Sequence, residues 1–400
     1  MIKTKDEFDQ FIIKNWNEIN KYIDQELTQI NPPFYNSVDI RESKNKYAPV
    51  DNNIYPAGFN NICLLDLDET AYQIKNFHES KKLRTDNWAI LIESHTKNTF
   101  YLDNIFYLKK AIKESGVKNI FFISLENDLF SEENKLLLES FSKFDIEIHL
   151  AEIKDHQFFV KNIKIDNVIL NNDQSKQIEI NWNKILTPVF PSPELGWYQR
   201  QKITHFEKYF EVAEKFCGHF NMDPDLICAK FKALHDIDFS TKESFDKLEK
   251  EVDDLKSQLS PNQKIFLKAS KGTYGMGIQV VNDGSDVNKM NRKVRNKMDI
   301  GKNKIKFTDI LIQEGIDTII QYDNMPAEVT IYLINGKSVG GFMRANSEKD
   351  HQSNLNSKGM VFKKFCISEI RQNQDYLIKE AVYSVIARLS TIAAGLELKK

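Results

Sequence analysis

Lys268 closes an apolar, extended run, Ile265-Phe266-Leu267, and is followed by Gly272, Gly275 and Gly277 before Ile278-Gln279-Val280-Val281 resumes an extended pattern. Glycine reaches positive φ without a Cβ clash and lets backbone N–H groups close on an anion, while a strand lysine adds a point charge. Two strands joined by a glycine flap, Gly272-Thr273-Tyr274-Gly275, have the chemistry to hold the phosphates of a nucleoside triphosphate. The plainer alternative is a glycine-bearing hairpin with one lysine. The pattern matches neither a P-loop closed by Gly-Lys-Ser/Thr nor a strand-Gly-x-Gly-x-x-Gly-helix, so the surroundings must decide.

Downstream, Ile310 to Ile316 reads as a strand that turns polar at Gln313 and Glu314, where backbone groups and a carboxylate can meet a purine edge or a ribose. Ala327–Ile334 and Lys337–Arg344 flank Asn335-Gly336, the strongest short-range hairpin signal. That hairpin puts Glu328 and Arg344 at one end. The two form either an exposed ion pair or part of a nucleotide site in which Arg344 stabilises charge on a phosphoryl group. A polar loop carrying Asn354, Asn356 and Gly359 follows.

These residues need a scaffold. From Thr4 to Gln29, Phe8, Phe11, Ile12, Trp16, Ile19, Tyr22 and Ile23 recur at helical spacing and predict one amphipathic helix. Asn31 to Asn61, rich in proline and asparagine, reads as irregular; a segment that long in a compact protein is functional or disordered, and its aromatics and Arg41 favour an ordered binding loop. Short apolar runs at Ile62–Asp66, Trp88–Glu93, Asn119–Leu125, Ile146–Leu150 and Val168–Leu170 alternate with helical periods at Tyr101–Ser115 and Ser131–Phe144. Such alternation predicts a parallel sheet covered on both faces. Polar clusters follow two of the strands, Glu93 to Asn98 and Asn171-Asn172-Asp173. Ligands gather outside the carboxyl ends of parallel strands, although a helix cap at Ser94 or Thr96 and asparagine turns explain the same residues.

Pro188–Pro193 marks a junction, after which a long helix begins near Arg200, Lys202 and His205, a solvated start or the basic end of a carboxylate site. Met222–Ile227 and Phe245–Leu259 read as further helical pieces, and Asn291–Lys304 as a basic, helical surface linker.

Four hundred residues leave room for two or three cores. The 55 Lys+Arg against 57 Asp+Glu are interleaved, and the net charge of −2 offers no basic face to nucleic acid or to a membrane surface. Cys63, Cys217, Cys228 and Cys366 show no C-x-x-C spacing and read as reduced thiols. The N-terminus mixes acidic and basic residues, unlike a secretory or transit peptide, and no apolar run of about 18 residues offers a span. A cytoplasmic protein is expected.

The order of strand lysine, glycine flap, Gln-Glu strand end, Glu-headed hairpin with an arginine and Asn-rich loop resembles that of ATP-grasp enzymes. The wording of KYAPVDNNIYPAGFNN, ESHTKNTFY, LNNDQS, PSPELGWYQRQKITHF, KASKGTYGMGIQVV and SNLNSKGM resembles the proteobacterial-type glutamate–cysteine ligases, from about Arg41 to the final helix. The resemblance implies an N-terminal parallel-sheet α/β substrate-binding domain, residues 1–190, and a two-subdomain α+β ATP-grasp domain, residues 191–400. It implies ATP and Mg²⁺ as cofactors, glutamate and cysteine as substrates, and a γ-glutamyl phosphate intermediate.

By the same resemblance, Lys268 and the amides from Gly272 to Gly277 hold phosphates, Gln313, Glu314 and Glu328 hold adenine and ribose, and Arg344 and Asn356 face the γ-phosphate. Arg41, Asp51, Asn60, His95, Asn98, Arg200 and Lys202 become candidates for the amino-acid substrates. One departure touches the metal: no Glu-x-Asn follows the hairpin, which leaves Asn354 and Asn356, or acidic residues of the tail such as Glu369 or Glu397, as substitutes. A ligase with a different acceptor, or a nucleotide-binding module without turnover, are the rival readings.

Overall fold

In the computed structural model, which describes residues 1–93, 97–130, 134–175, 177–271, 277–290, 308–357, 359–365 and 374–398, Thr4 opens the first helix with a capping box. Its hydroxyl accepts the Glu7 N–H and the Glu7 carboxylate accepts the Thr4 N–H in return, satisfying donors a helix start otherwise leaves bare. The apolar stripe expected on one helix is carried by two, α1 (Lys5–Lys14) and α2 (Trp16–Thr28). They break at Asn15, whose side-chain amide donates back to the Phe11 carbonyl.

The stretch expected to be irregular is a hairpin of β1 (Tyr35–Glu42) and β2 (Tyr47–Asn53). Its pattern is strand-like after all: Val38 and Ile40 alternate with Ser37, Asp39 and Arg41. Pro49 is tolerated because β2 is an edge strand and its register with β1 slips beside Ile40. The run Ile62–Asp66, expected as a strand, instead leads into α3 (Leu64–Ser80), with Leu64 and Leu65 exposed and Asp66 buried.

The α/β unit follows. Its elements are β3 (Asn87–Ile92), α4 (Thr99–Glu114), β4 (Asn119–Ser124), β5 (Lys135–Glu139), β6 (Asp145–Leu150), the meander β7 (Glu152–Lys154), β8 (Gln157–Val160) and β9 (Ile163–Lys164), then β10 (Asn167–Asn171) and β11 (Val189–Phe190). The sheet order is β11-β10-β3-β4-β6-β5, parallel except for β5. Both faces are covered, as a parallel sheet requires: Trp88 and Ile90 of β3 enter one core, Ala89 and Leu91 another. The helix expected across 131–144 gives way to β5, because edge pairing with β6 outweighs the helical bias of its Lys, Leu and Glu.

The second half supplies α5 (Lys202–Phe220), β12 (Phe231–Leu234), α6 (Lys242–Lys256), β13 (Ile265–Ala269), β14 (Ile278–Val281), α7 (Ser285–Asn288), β15 (Ile310–Glu314), β16 (Gln321–Tyr322), β17 (Met325–Ile334), β18 (Lys337–Asn346), β19 (Met360–Phe365) and α8 (Gln374–Leu396). Between α5 and β12 only Pro224–Leu226 make a helical turn. Strands β12-β15-β13-β14 form an antiparallel sheet over α6 with its own core. The predicted hairpin is present, with positive φ at both Asn335 and Gly336.

The largest antiparallel sheet has the order β19-β18-β17-β1-β2. It draws its strands from both sides of the division expected at residue 190. Its apolar face, with Val38, Ile40, Val329 and Ile331, packs on α1, α2, α5 and α8. Cys217 and Cys228 are buried free thiols, with burial pushing Cys217 up to about 12, whereas Cys63 is disulfide-bonded, contrary to the expectation of reduced thiols. No helix among the described residues is long and apolar enough to cross a membrane.

Candidate active site

A cavity of about 1000 Å³ lies where the three large sheets meet. One wall is the polar face of the antiparallel sheet. Strand alternation turns Ser37, Asp39 and Arg41 of β1, Asp51 of β2, Glu328 and Thr330 of β17 and Arg344 of β18 to this side, while the residues between them enter the helical core. Pairing then brings them together: Asp39 stands opposite Thr330 and Asp51, and Glu328 opposite Arg344. A second wall carries Lys268 of β13 with Gln313 and Glu314 of β15, and the third holds Glu93 and Asp173 at the carboxyl ends of β3 and β10.

The charges on these walls are paired in a buried network. Arg344 Nη2 lies 2.6 Å from Asp39 Oδ2, and Thr330 donates its hydroxyl to Asp39 Oδ1 at 2.7 Å. Arg41 Nε meets Glu328 Oε2 at 2.8 Å, and its Nη2 donates to the Ser353 carbonyl. Burial opposes the charge of Glu328, but Arg41 and Arg344 override it and hold the carboxyl below its ordinary range. Burial raises Asp39, an effect that Arg344 offsets only in part.

Lys202 Nζ contacts Asp51 Oδ1 at 2.6 Å. Against the burial penalty, Lys202, Lys268 and Arg200 hold the Asp51 carboxyl down at about 2. Behind this wall Arg200 grips both oxygens of Glu397, at 2.8 and 2.9 Å, and lies over the Trp197 ring. His205 Nδ1 is 2.7 Å from the same carboxylate, which can only accept, so Nδ1 bears the proton. Burial lowers the His205 pKa, and the neutral ring's Nε2 is left to accept from the Ser390 hydroxyl.

Lys268 differs from its neighbours. Arg41, Arg200, Lys202 and Arg344 each face a carboxylate, but Lys268 Nζ donates to the Val50 carbonyl at 2.8 Å and to Gln313 Oε1 at 2.7 Å, both neutral. Burial brings its ammonium down to about 7; Asp51 opposes the shift, and Lys202 and Arg41 add to it. Gln313 Nε2 is buried without a partner among the described residues, a second donor beside the cavity. A buried cation and a spare N–H, unsatisfied by the protein, suit an incoming anion.

Of the residues the sequence singled out, Arg41, Asp51, Asn60, Asn98, Lys202, Lys268, Gln313, Glu314, Glu328, Arg344, Asn354 and Asn356 all line the cavity. Asn98 also caps α4, the role the sequence suggested for Ser94 or Thr96. The Glu314 carboxylate is already held by Lys46, the Lys230 N–H and Gln263, which ties β15 to its neighbours. Arg200 is set behind the wall, and Gly277, at positive φ, passes its carbonyl to the Ala269 N–H. Gly272, Thr273, Tyr274, Gly275, His95 and Glu369 lie outside the described residues. Asp39 was missed, and Glu397, expected among the acidic substitutes for a metal ligand, instead pairs with Arg200 and His205 outside the cavity lining. Asp39 was legible, two residues before Arg41 and so on the same face of a strand; nothing local ties Glu397 to its partners Arg200 and His205, about 200 positions earlier in the chain.

A family profile described as glutamate–cysteine ligase matches residues 9–398. No curated protein sequence matches the chain. Among solved structures, a protein from Methylobacillus flagellatus KT assigned as a gamma-glutamylcysteine synthetase superposes with a TM-score of 0.88 at 28% identity, over 98% of this chain and 95% of that one. A glutathione synthetase-like effector from Globodera pallida gives 0.45 at 10% identity over 88% and 81% of the two chains. D-alanyl-alanine synthetase A from Vibrio cholerae O1 biovar eltor str. N16961 gives 0.41 at 13% over 76% and 80%. The profile spans nearly every element that builds the cavity, from α1 to the end of α8, and the chain therefore belongs to the glutamate–cysteine ligase family.

Proposed function

We propose that this family's ligation of glutamate to cysteine proceeds here through ATP in the ATP-grasp manner, inside the cavity bounded by β13, β15, β17, β18 and β1. The observation that carries the reading is Lys268, a buried cavity-facing cation whose acceptors are both neutral. An oxygen of the glutamate γ-carboxylate attacks the γ-phosphorus and ADP leaves. The neutral amine of cysteine then attacks the acyl carbon, phosphate leaves, and the amide bond remains. The obstacle is electrostatic, a carboxylate approaching a polyanion, and Lys268 and Arg344 are placed to offset it.

Lys268, with the N–H of Gln313 beside it, takes the phosphates. Arg344, aligned by Asp39, takes the transferring group, and Lys202, held by Asp51, lies toward the amino acids. Glu328 is better suited to fixing Arg41 and Arg344 than to a ribose, since both arginines face it. Mg²⁺ fits the hard oxygens on hand: Asn354 and Asn356 supply neutral donors, and Asp39 and Asp51 supply carboxylates on the same wall. Among the described residues no three metal-binding side chains converge, so phosphate oxygens and water would complete its shell. When bound, Mg²⁺ neutralises phosphate charge. The division into an amino-acid half, 1–190, and a nucleotide half, 191–400, and a cytoplasmic setting belong to the same reading.

The test is phosphate release with ATP, glutamate and cysteine. Release should require both amino acids and yield γ-glutamylcysteine. Lys268→Met should lower kcat/KM by about 10- to 150-fold, the worth of one charge-assisted contact. Hydrolysis indifferent to cysteine would sink the acceptor assignment, and full activity in the variant would remove Lys268 from the site.

A further inference from the structure

Among the described residues, the cavity's cations are confined to one end, where Asp39, Asp51, Glu314 and Glu328 accompany them. They are Arg41, Lys202, Lys268, Arg344 and Lys364, and all come from the antiparallel sheet, β13 or the start of α5. The wall built from residues 54–173 has none among the described residues and carries three carboxylates, Glu93, Asp103 and Asp173. Asp103 is occupied by the Ser142 N–H and hydroxyl, at 3.1 and 2.8 Å, and Glu93 accepts the Asp173 N–H at 2.5 Å. Asp173 uses Oδ1 on the Ser175 N–H, but its Oδ2 is buried and has no partner among the described residues, in a residue only 6% exposed.

A buried acceptor without a donor is costly, and beside a cavity the donor it lacks can come from the ligand. Asp173 stands just past the carboxyl end of β10, next to that of β3, where open parallel sheets receive ligands. It adjoins the cationic end directly. Trp197 donates its backbone N–H to the Asp173 carbonyl at 3.0 Å, and the Trp197 ring lies 4.6 Å from Lys202 Nζ.

We propose that Asp173 receives the α-ammonium of the glutamate whose γ-carboxylate attacks the phosphate held by Lys268 and Arg344. The inference rests on the ligation reading above and deepens it. Chemistry chooses between the two amino groups. The acceptor amine must shed its proton before it attacks, and a carboxylate within hydrogen-bond distance stabilises the ammonium and resists that loss. The donor's ammonium stays charged throughout, so a fixed carboxylate helps it at every stage.

Hydroxylamine in place of cysteine traps the acyl phosphate and reads the donor half alone. With Asp173→Asn, which preserves size, the KM for glutamate should rise about 10- to 100-fold, the loss of one charge-assisted hydrogen bond, while the KM for ATP stays within about twofold. Glutarate, which is glutamate without its amino group, provides the second readout: the wild-type preference for glutamate over glutarate should shrink by the same factor in the variant. An unchanged KM for glutamate overturns the proposal. So does a shift confined to the KM for cysteine in the complete reaction, or a common shift of every KM together with a lowered melting temperature. Wild-type protein that makes no hydroxamate from glutamate overturns the ligation reading, and this proposal with it.

Discussion

At the scale of single residues, the free protein holds Lys268 in an unusual state, and that state makes ATP binding visible as a proton. Burial brings the ammonium down to about 7. Phosphate oxygens brought beside it favour the charged form and raise its pKa again. At about pH 8 the free lysine is mostly neutral and the bound one charged, so ATP binding should take up most of one proton. Calorimetry in buffers of different ionisation enthalpy measures this directly, and Lys268→Met should abolish the uptake. A binding enthalpy independent of buffer would mean that Lys268 does not meet the phosphates. Lys268 and Arg344 were legible because strand, glycine flap and Asn-Gly hairpin are local signals. The neutral partners of Lys268 were not, since Val50 comes from a strand more than 200 residues earlier.

At the scale of elements, two pieces decide the site's shape, and neither was read from the sequence. The β1–β2 hairpin was hidden by its prolines and asparagines, although the alternation of Val38 and Ile40 with Asp39 and Arg41 was present all along. The end of α8 was unreadable locally, because Glu397 takes its meaning from Arg200 and His205 of another element. Removing one partner of a buried pair strands the other charge, at a cost of about 3–5 kcal/mol. Glu397→Gln should therefore lower the melting temperature by several degrees and impair the site indirectly, through Trp197 and Lys202. The pH dependence has a fixed sign. The Glu397 carboxyl is held at about 2 by Arg200 and His205 against burial, below its unfolded value of about 4.3. Its contribution is complete above that unfolded value and is lost as pH falls toward 2. Denaturation midpoints measured from pH 6 to pH 2.5 should fall more steeply for wild type than for the variant. Parallel curves would show that Glu397 is not ionised in the native protein.

At the scale of the whole molecule, the chain order and the sheets disagree about where one half ends. By sequence the division falls near residue 190, but β1 lies between β2 and β17 in the largest sheet. A fragment of residues 191–400 would leave the β17 edge unpaired and uncover Val329, Ile331 and Leu333, which now share a core with Val38 and Ile40. Burying one such side chain is worth about 1.5–3 kcal/mol, and a domain's net stability is about 5–15 kcal/mol. Losing the hairpin together with α1 and α2 therefore exceeds what the fragment can lose. Expressed alone, residues 191–400 should show no cooperative melting of the β17–β18 sheet. The unit of β12–β15 and α6 has a separate core and should retain protected amides in the same fragment. Hydrogen exchange on the fragment distinguishes the two sheets: full protection across β17 and β18 would refute the interlock. Co-expression of residues 1–190 should restore that protection together with activity, because Arg41, Asp39 and Asp51 enter the cavity only when β1 and β2 take their places.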